Sequence, residues 1–352
     1  MQLVDRERPK IGVGEMSAGY HHGYQQQVPR RPVPQRRRRR PGRVVLVVLV
    51  VLLLAFVALW VYIDFSLKRV DALKDYSGRP AATAGTNWLL VGSDSRDGLS
   101  QEQRDTLATG DAGGARTDTI MLLHVPDGSG KSTLLSIPRD SYVDVPGSGK
   151  NKINAAFAIG GPSLLAQTVE GATGLRIDHY MEVGFGGFAG IVDSVGGVNI
   201  CIDQPMQDPK AGLDLQPGCQ DLNGTQALGF VRTRNFARAD LQRVQNQRKF
   251  LAALSDKATS PSVLANPFRV FPLLFNATDT ISVGTDDRLH NLAGLAFGMG
   301  SGVDTATVPI GSTPTVPGAG SVVKWDRENA LRLFDALGKD QPVPSDLLQQ
   351  PK

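Results

Sequence analysis

Cysteine and histidine are scarce in this chain. Two cysteines and five histidines in 352 residues leave little material for a soft-metal site. Cys201 and Cys219 stand 18 positions apart, with no C-x-x-C pair and no histidine at ligand spacing. No H-E-x-x-H or G-x-S-x-G occurs, so a zincin helix and a nucleophile elbow are excluded. The run "DGSGKST" lacks the glycine that a phosphate-binding loop needs at position 125, which is Val125; its composition predicts a hairpin turn. Internal repeats are absent. Positive charge is also missing where it would matter for nucleic acid. Residues 1–43 carry 11 Lys and Arg against 3 Asp and Glu, whereas the remaining chain carries 27 against 31. A nucleic-acid-binding domain is basic over its own footprint, so DNA and RNA are not the expected partners.

What is present begins with a membrane signal. Residues 44–63, "VVLVVLVVLLLAFVALWVYI", hold no charge, and 20 residues at about 1.5 Å each span a bilayer. The preceding "RRRRRPGR" places the N-terminus in the cytoplasm and everything after Asp64 outside. A cleavable signal peptide would need a shorter apolar run and a small-residue cleavage site. The expected layout is a disordered basic tail (1–43), a transmembrane helix (44–63), a stalk (64–85), a folded domain (86–337) and a flexible C-terminal tail (338–352). Outside the cell, a Cys201–Cys219 disulfide is expected, with two buried thiols as the alternative.

The folded region alternates strand and helix patterns. "NWLLVGSDSR", "TDTIMLLHV" and "STLLSIPRD" read as strands joined in a meander, "HYMEVGF" and "VNICI" as further strands. Helical spacing runs through Ile153, Phe157, Leu164, Leu165 and Val169, with a break at Gly160-Gly161, and again from Ala239 to Ala258. Asn223-Gly224 reads as a turn. The expected class is α/β: a single extracytoplasmic domain with a central mixed sheet flanked by helices, preceded by one transmembrane helix.

Polar residues gather at the ends of these elements. "GFVRTRNFARADLQRVQNQRKF" (229–250) carries Arg232, Arg234, Arg238, Arg243 and Arg248. Asp240, Arg243 and Gln247 are three and four apart and share a helix face. Arginine grips phosphate with a planar fork, yet a solvated, salt-bridged helix face explains the same residues. Asp94, Asp118, Arg116, Arg139, Asp140 and Lys152 fall at strand ends or helix starts. Asp94 and Asp118 suit a hard divalent cation only if their loops meet. His124, His179 and His290 are scattered and read as structural.

Taken together, "NWLLVGSDSR", "GARTDTIMLLHV", "LLSIPRDSYVDVPG", "KINAAFAIGG", "DHYMEVGFGGFAGIVDSVGGV" and "LNGTQALGFVRTRNFARADLQRVQNQRKFLAAL" resemble, in order, the LytR-CpsA-Psr family of bacterial cell-envelope enzymes. The resemblance implies a membrane-anchored phosphotransferase, with pyrophosphatase as a side activity. Such an enzyme moves a glycopolymer from a polyprenyl-pyrophosphate lipid to peptidoglycan as a phosphodiester. It implies Mg²⁺ on Asp94 and Asp118. It implies a pyrophosphate grip of Arg116, Arg139, Lys152, Arg232, Arg234, Arg243 and Gln247, with Asp240 orienting it. Arg238, a substitute ligand or merely exposed, and Arg248 are expected to be left to solvent. The resemblance also implies an apolar tunnel, for which Phe157, Val183, Phe185, Phe188, Ile191, Phe230 and Phe250 are the expected lining. A non-catalytic polyprenyl-phosphate scaffold or regulator is the competing expectation. The polymer stays open among arabinogalactan, teichoic acid and capsule, with an actinobacterial type favouring the first. The topology is testable directly: protease added outside intact cells should digest the domain and spare the basic leader, and digestion of the leader would reverse the orientation.

Overall fold

The alternation in the first two long strands builds the molecule around a two-faced sheet. The computed structural model describes residues 41–94, 100–107, 117–128, 130–233, 239–300 and 302–348; the side chains of 41, 103, 239–244, 277 and 279 lie outside that description. The central sheet has seven strands: β1 (Lys68–Val70), β2 (Thr86–Ser93), β3 (Thr117–Val125), β4 (Ser132–Ile137), β5 (His179–Val183), β6 (Ile281–Gly284) and β7 (Val303–Thr307), in the order β1-β6-β5-β2-β3-β4-β7. Strands β2, β3 and β4 form the antiparallel meander, while β5 lies parallel to β2 and β7 parallel to β4. The "DGSGK" segment is the β3–β4 hairpin connection, as its composition predicts.

Successive side chains of a strand point to opposite faces. Leu89, Val91, Ile120 and Leu122 therefore share one face, packed with Leu165 and Val169 of α2 (Ile153–Thr173) and Leu333 and Phe334 of α8 (Arg327–Gly338). Trp88, Leu90, Met121 and Leu123 share the other. That second face looks towards α5 (Ala239–Ala258) and α7 (Leu289–Gly300), through Leu251 and Leu295. A further cluster joins α3 (Phe185–Val195), α4 (Gly224–Arg232) and α5 to a strand pair, Val198–Ile202 with Gly218–Leu222. Cys201 lies opposite Cys219 in that pair, and the two form the expected disulfide. The break in α2 falls at Gly160-Gly161, where Gly161 takes φ +67°, a conformation open to glycine. Asn223 is not a turn residue but the N-cap of α4. Its side chain accepts from Gln226 N while Gln226 accepts from Asn223 N, a capping box that satisfies two orphan donors.

Helix α1 (Pro41–Ser66) is the expected membrane span, extended at both ends. Contacts divide the chain inside this helix, between Leu52 and Leu53. Two boundaries differ from expectation. The segment 64–85 is no stalk: β1 pairs with β6, Ala72 is buried, and Arg79 reaches across to α2. Residues 338–348 are no free tail, because Val343 joins the core and Leu348 bridges Ala306.

Residues 64–85 are anchored on Glu170, 1% exposed. It accepts from Arg79 Nε at 3.0 Å, Tyr76 Oη at 2.9 Å and Ile177 N at 2.9 Å. Burial and this carboxylate push the Tyr76 phenol up to about 12. A buried carboxylate with three donors is stable; one that loses its guanidinium is not. Arg79→Ala should cost about 3–5 kcal/mol of unfolding free energy, read by denaturant titration. Asp75→Ala, on the exposed side of the same arginine, should cost less than about 1 kcal/mol.

Candidate functional site

One end of the sheet collects the polar residues, and the topology explains why. The C-terminal end of β2 and the N-terminal end of β3 are partners, so Asp94 and Asp118 emerge side by side. Gly92 pairs with Thr119 and Ser93 with Thr117, which leaves Asp118 as the extra residue of a β-bulge. A bulge re-aims a side chain out of the ladder's alternation. Gly92 permits it: a Cβ there would sit 3.0 Å from the Thr119 Cβ. Thr117 Oγ1 donates to Gly92 O at 3.2 Å and holds the bulge closed.

Strand β4 ends at the same edge. Arg139, two residues beyond it, ion-pairs with Asp118 through Nη1 and lies 3.4 Å from Asp140 through Nε. Lys152, the N-cap residue of α2, reaches Asp140 at 2.8 Å. The start of α2 is docked on this loop by Ile153 N to Ser141 O and Asn154 N to Arg139 O. The result is a chain of alternating charge, Lys152–Asp140–Arg139–Asp118, that fixes the bulged carboxylate.

Strand β5 also ends here, and its continuation is α3. Gly92 of β2 is level with Val183 of β5, so Phe185 enters beside the acids. The Arg232 guanidinium lies over the Phe185 ring at 4.6 Å and donates to Leu107 O at 3.1 Å. A cation over an aromatic face is held electrostatically. Gln247 and Asn246 of α5 donate to Val231 O and Phe230 O at 3.3 and 3.4 Å. These are carbonyls of the last turn of α4, which lack helical partners. Gln247 thus secures the end of α4 on which Arg232 sits.

These residues form the polar end of a cavity of about 850 Å³. Ser93, Asp94, Asp118, Asp208, Lys210, Arg232 and Gln247 line that end. The rest of the wall is apolar apart from Thr119, Ser255 and Thr259. It includes Val183, Phe185, Phe188, Ile191 and Phe250, as expected, together with Leu90, Met121 and Met181 from the sheet. Helices α6 (Pro267–Thr280) and α7 and the last turns of α1 complete it.

Two expected lining residues are elsewhere. Phe157 packs on the opposite face of the sheet with α2, and Phe230 is buried between α4 and its neighbours. Arg248 is not solvated but 6% exposed; burial pushes its guanidinium down to about 10, still charged at neutral pH. Arg139 and Lys152 reach the cavity through Asp118 rather than by lining it. Arg116, Arg234 and Arg238 lie outside the described residues, and of Asp240 and Arg243 only the backbone, on α5, lies within them. Asp208 and Lys210 were not anticipated. Asp208 caps a short turn through Lys210 N and Ala211 N and accepts from Thr233 Oγ1 at 2.9 Å. The run "DPKAG" carries only a turn signal, which names no ligand.

Two carboxylates in one wall, with oxygen donors only, fit Mg²⁺, which commonly takes one or two carboxylates and completes its shell with phosphate oxygens and water. Among the described residues no group of three or more His, Cys, Asp or Glu converges, so these residues do not form an all-protein cage.

Residues 64–337 match the LytR_cpsA_psr family model. The chain is 56% identical over 282 residues to the probable cell wall biosynthesis protein LcpB of Corynebacterium glutamicum, covering 80% of this chain and 67% of that one. It is 32% identical to the cell wall biosynthesis protein LcpA of the same organism, covering 76% and 58%. The chain thus spans about two thirds of the first relative and less of the second. A solved structure of TagT bound to LI-WTA is 26% identical, with a TM-score of 0.58 over 78% of this chain and 96% of that one. A LytR-Csp2A-Psr enzyme from Actinomyces oris, 21% identical with a TM-score of 0.60 over 77% and 96%, shares the fold.

The cavity wall makes a separable prediction. Ile191→Trp should fill the apolar part and weaken binding of a long-chain apolar fluorophore about tenfold or more, with little loss of stability. Phe157→Ala should do the reverse, costing about 3–5 kcal/mol of stability while the folded fraction binds normally. Fluorescence titration and denaturant unfolding read the two effects.

Proposed function

Since the chain belongs to the LytR_cpsA_psr family, we propose that it is a membrane-anchored phosphotransferase that moves a glycopolymer from a polyprenyl-pyrophosphate lipid to peptidoglycan. The observation that carries this reading is the single cavity with two chemistries: a long apolar wall and, at one end, acids and an arginine. A polyprenyl chain suits the first and a pyrophosphate the second. The names of relatives support it. The Oceanobacillus iheyensis protein, 34% identical over 252 residues and matched across 69% of this chain and 72% of its own, is named a polyisoprenyl-teichoic acid–peptidoglycan teichoic acid transferase.

In the proposed reaction a peptidoglycan sugar hydroxyl attacks the phosphorus that bears the glycan. A new P–O bond forms, the pyrophosphate P–O bond breaks, and the polyprenyl phosphate leaves with the electron pair. Arg232 is suited to hold the pyrophosphate where the apolar wall ends, with Phe185 and Leu107 O fixing its direction. Preorganised cations stabilise charge that develops on transferring phosphoryl oxygens. Arg139 holds Asp118 in place. Asp94 is the proposed acceptor of the hydroxyl proton. Asp94 and Asp118 would hold Mg²⁺, which supplies charge neutralisation on the phosphate oxygens. The domain lies outside the membrane in this reading, where peptidoglycan is accessible.

The test uses the full chain in lipid vesicles with a polyprenyl-pyrophosphate-linked glycan, Mg²⁺ and peptidoglycan, and measures glycan made covalent to the wall. Arg232→Ala should lower turnover about 100-fold or more, and Asp118→Asn should do likewise, with unchanged melting. Undiminished turnover in both variants would sink the assignment.

A further inference from the structure

The side of the molecule that meets α1 carries exposed apolar residues. Helix α6, "PFRVFPLLFNATDT", is apolar on two opposite faces. Val270, Leu273 and Leu274 line the cavity. Phe268, Phe271 and Phe275, at steps of three and four, point away from it and are 88%, 43% and 41% exposed. On α7, Phe297 at the cavity rim is 71% exposed, and Leu264, just before α6, is 56% exposed. One apolar face of α6 is used by the cavity, and the second forms a contiguous exposed apolar patch, which marks a protein- or membrane-binding surface.

The position of the patch says which. Among the described residues, every exposed phenylalanine lies on α1, α6 or α7. Tyr62 of α1 meets Phe275 of α6 edge-on at 6.4 Å between centroids. The patch is therefore continuous with the membrane span. The same helix supplies a cavity wall: Phe56, Leu59, Trp60 and Ile63 line it, and their spacing of three and four marks one helix face. Residues 56–63 form the last part of the apolar run 44–63, about 10 Å of its length. Interfacial apolar helices sink about 5–10 Å into a leaflet, so the two depths agree.

We propose that the phenylalanine face of α6 and α7 is seated in the outer leaflet beside α1, so that the cavity opens into the bilayer rather than into water. A lipid tail would then enter along Phe56, Leu59 and Trp60 without crossing the aqueous phase. That use of the opening rests on the transferase reading above, and the outward side rests on the proposed orientation. The seat itself rests on the exposed aromatics and the anchor.

The test places a single thiol in the full chain, at Phe268→Cys, Phe297→Cys or, as a control, Leu331→Cys on α8, a lone exposed leucine. The native cysteines are paired with each other, so an environment-sensitive fluorophore goes to the introduced site. In phosphatidylcholine–phosphatidylglycerol vesicles, with iodide on both sides, acyl-chain nitroxide should quench the labels at 268 and 297 several-fold more than at 331. Iodide should quench 331 alone. The proposal is overturned if iodide reaches 268 and 297 as readily as 331. Protection from both quenchers, which means another protein surface covers the face, overturns it equally. No substrate is involved, so an inactive protein with lipid-quenched labels would refute the transferase reading and leave the seat standing.

Discussion

Everything in this molecule depends on the pleat of β2 and β3. Their alternation sends Leu89, Val91, Ile120 and Leu122 one way and Trp88, Leu90, Met121 and Leu123 the other, so neither face can be left in water. One face is closed by α2 and α8 in a dense core. The other is only partly closed, because α3, α5, α6 and α7 arch over it and leave a cavity whose floor is Leu90, Met121 and Met181. The asymmetry converts a structural sheet into a binding surface: the same strands that nucleate the core on one side provide an apolar floor on the other.

The polar end follows from where strands stop. Backbone pairing satisfies N–H and C=O groups along a strand, but at its end the chain turns and side chains are free to converge. β2, β4 and β5 all end at one edge, and β3 begins there. The bulge at Asp118 adds what the ladder alone would deny, a carboxylate turned out of register. It is held by Arg139, which is partnered by Asp140, which is partnered by Lys152. Each exposed ion pair on its own is worth little. Linked in series on docked backbone, they restrict the carboxylate's orientation, which is what a phosphate or metal site requires.

How far the sequence anticipates this depends on the range of the interaction. Local patterns were legible: the meander, the α2 break at Gly160-Gly161, the limits of α5, and the placing of Asp94, Asp118 and Arg232 at element ends, though not that those ends meet. Long-range partners were not. Residues 64–85 show no periodicity, yet Arg79 and Tyr76 find Glu170 more than 90 positions away. Phe157 and Phe188 are both helix phenylalanines, and nothing local says that one enters the core and the other the cavity wall. Arg248 reads as a solvated cation because an arginine-rich stretch hides which helix face is buried. The Asp118 bulge is invisible for a different reason: one extra residue in "ARTDT" leaves no mark until a partner strand is specified.

Arg232 stands where the apolar and polar parts of the cavity meet. A guanidinium in an apolar wall would cost too much solvation, and one in open solvent would be too mobile to direct anything. Here it sits at the boundary, with one face on the Phe185 ring and an N–H on Leu107 O, and its helix end is secured by Gln247 and Asn246. Because the aromatic face attracts the cation electrostatically, the cation can border the apolar region and still present donors to the polar end. The position of that boundary sets how much of an amphiphile each part of the cavity accommodates. Moving the cation one helical turn along α4 would shift it by about 5.4 Å and separate it from the acids of β2 and β3. The chemistry of the cavity is therefore fixed less by its volume than by the register between the end of α4 and the end of β2.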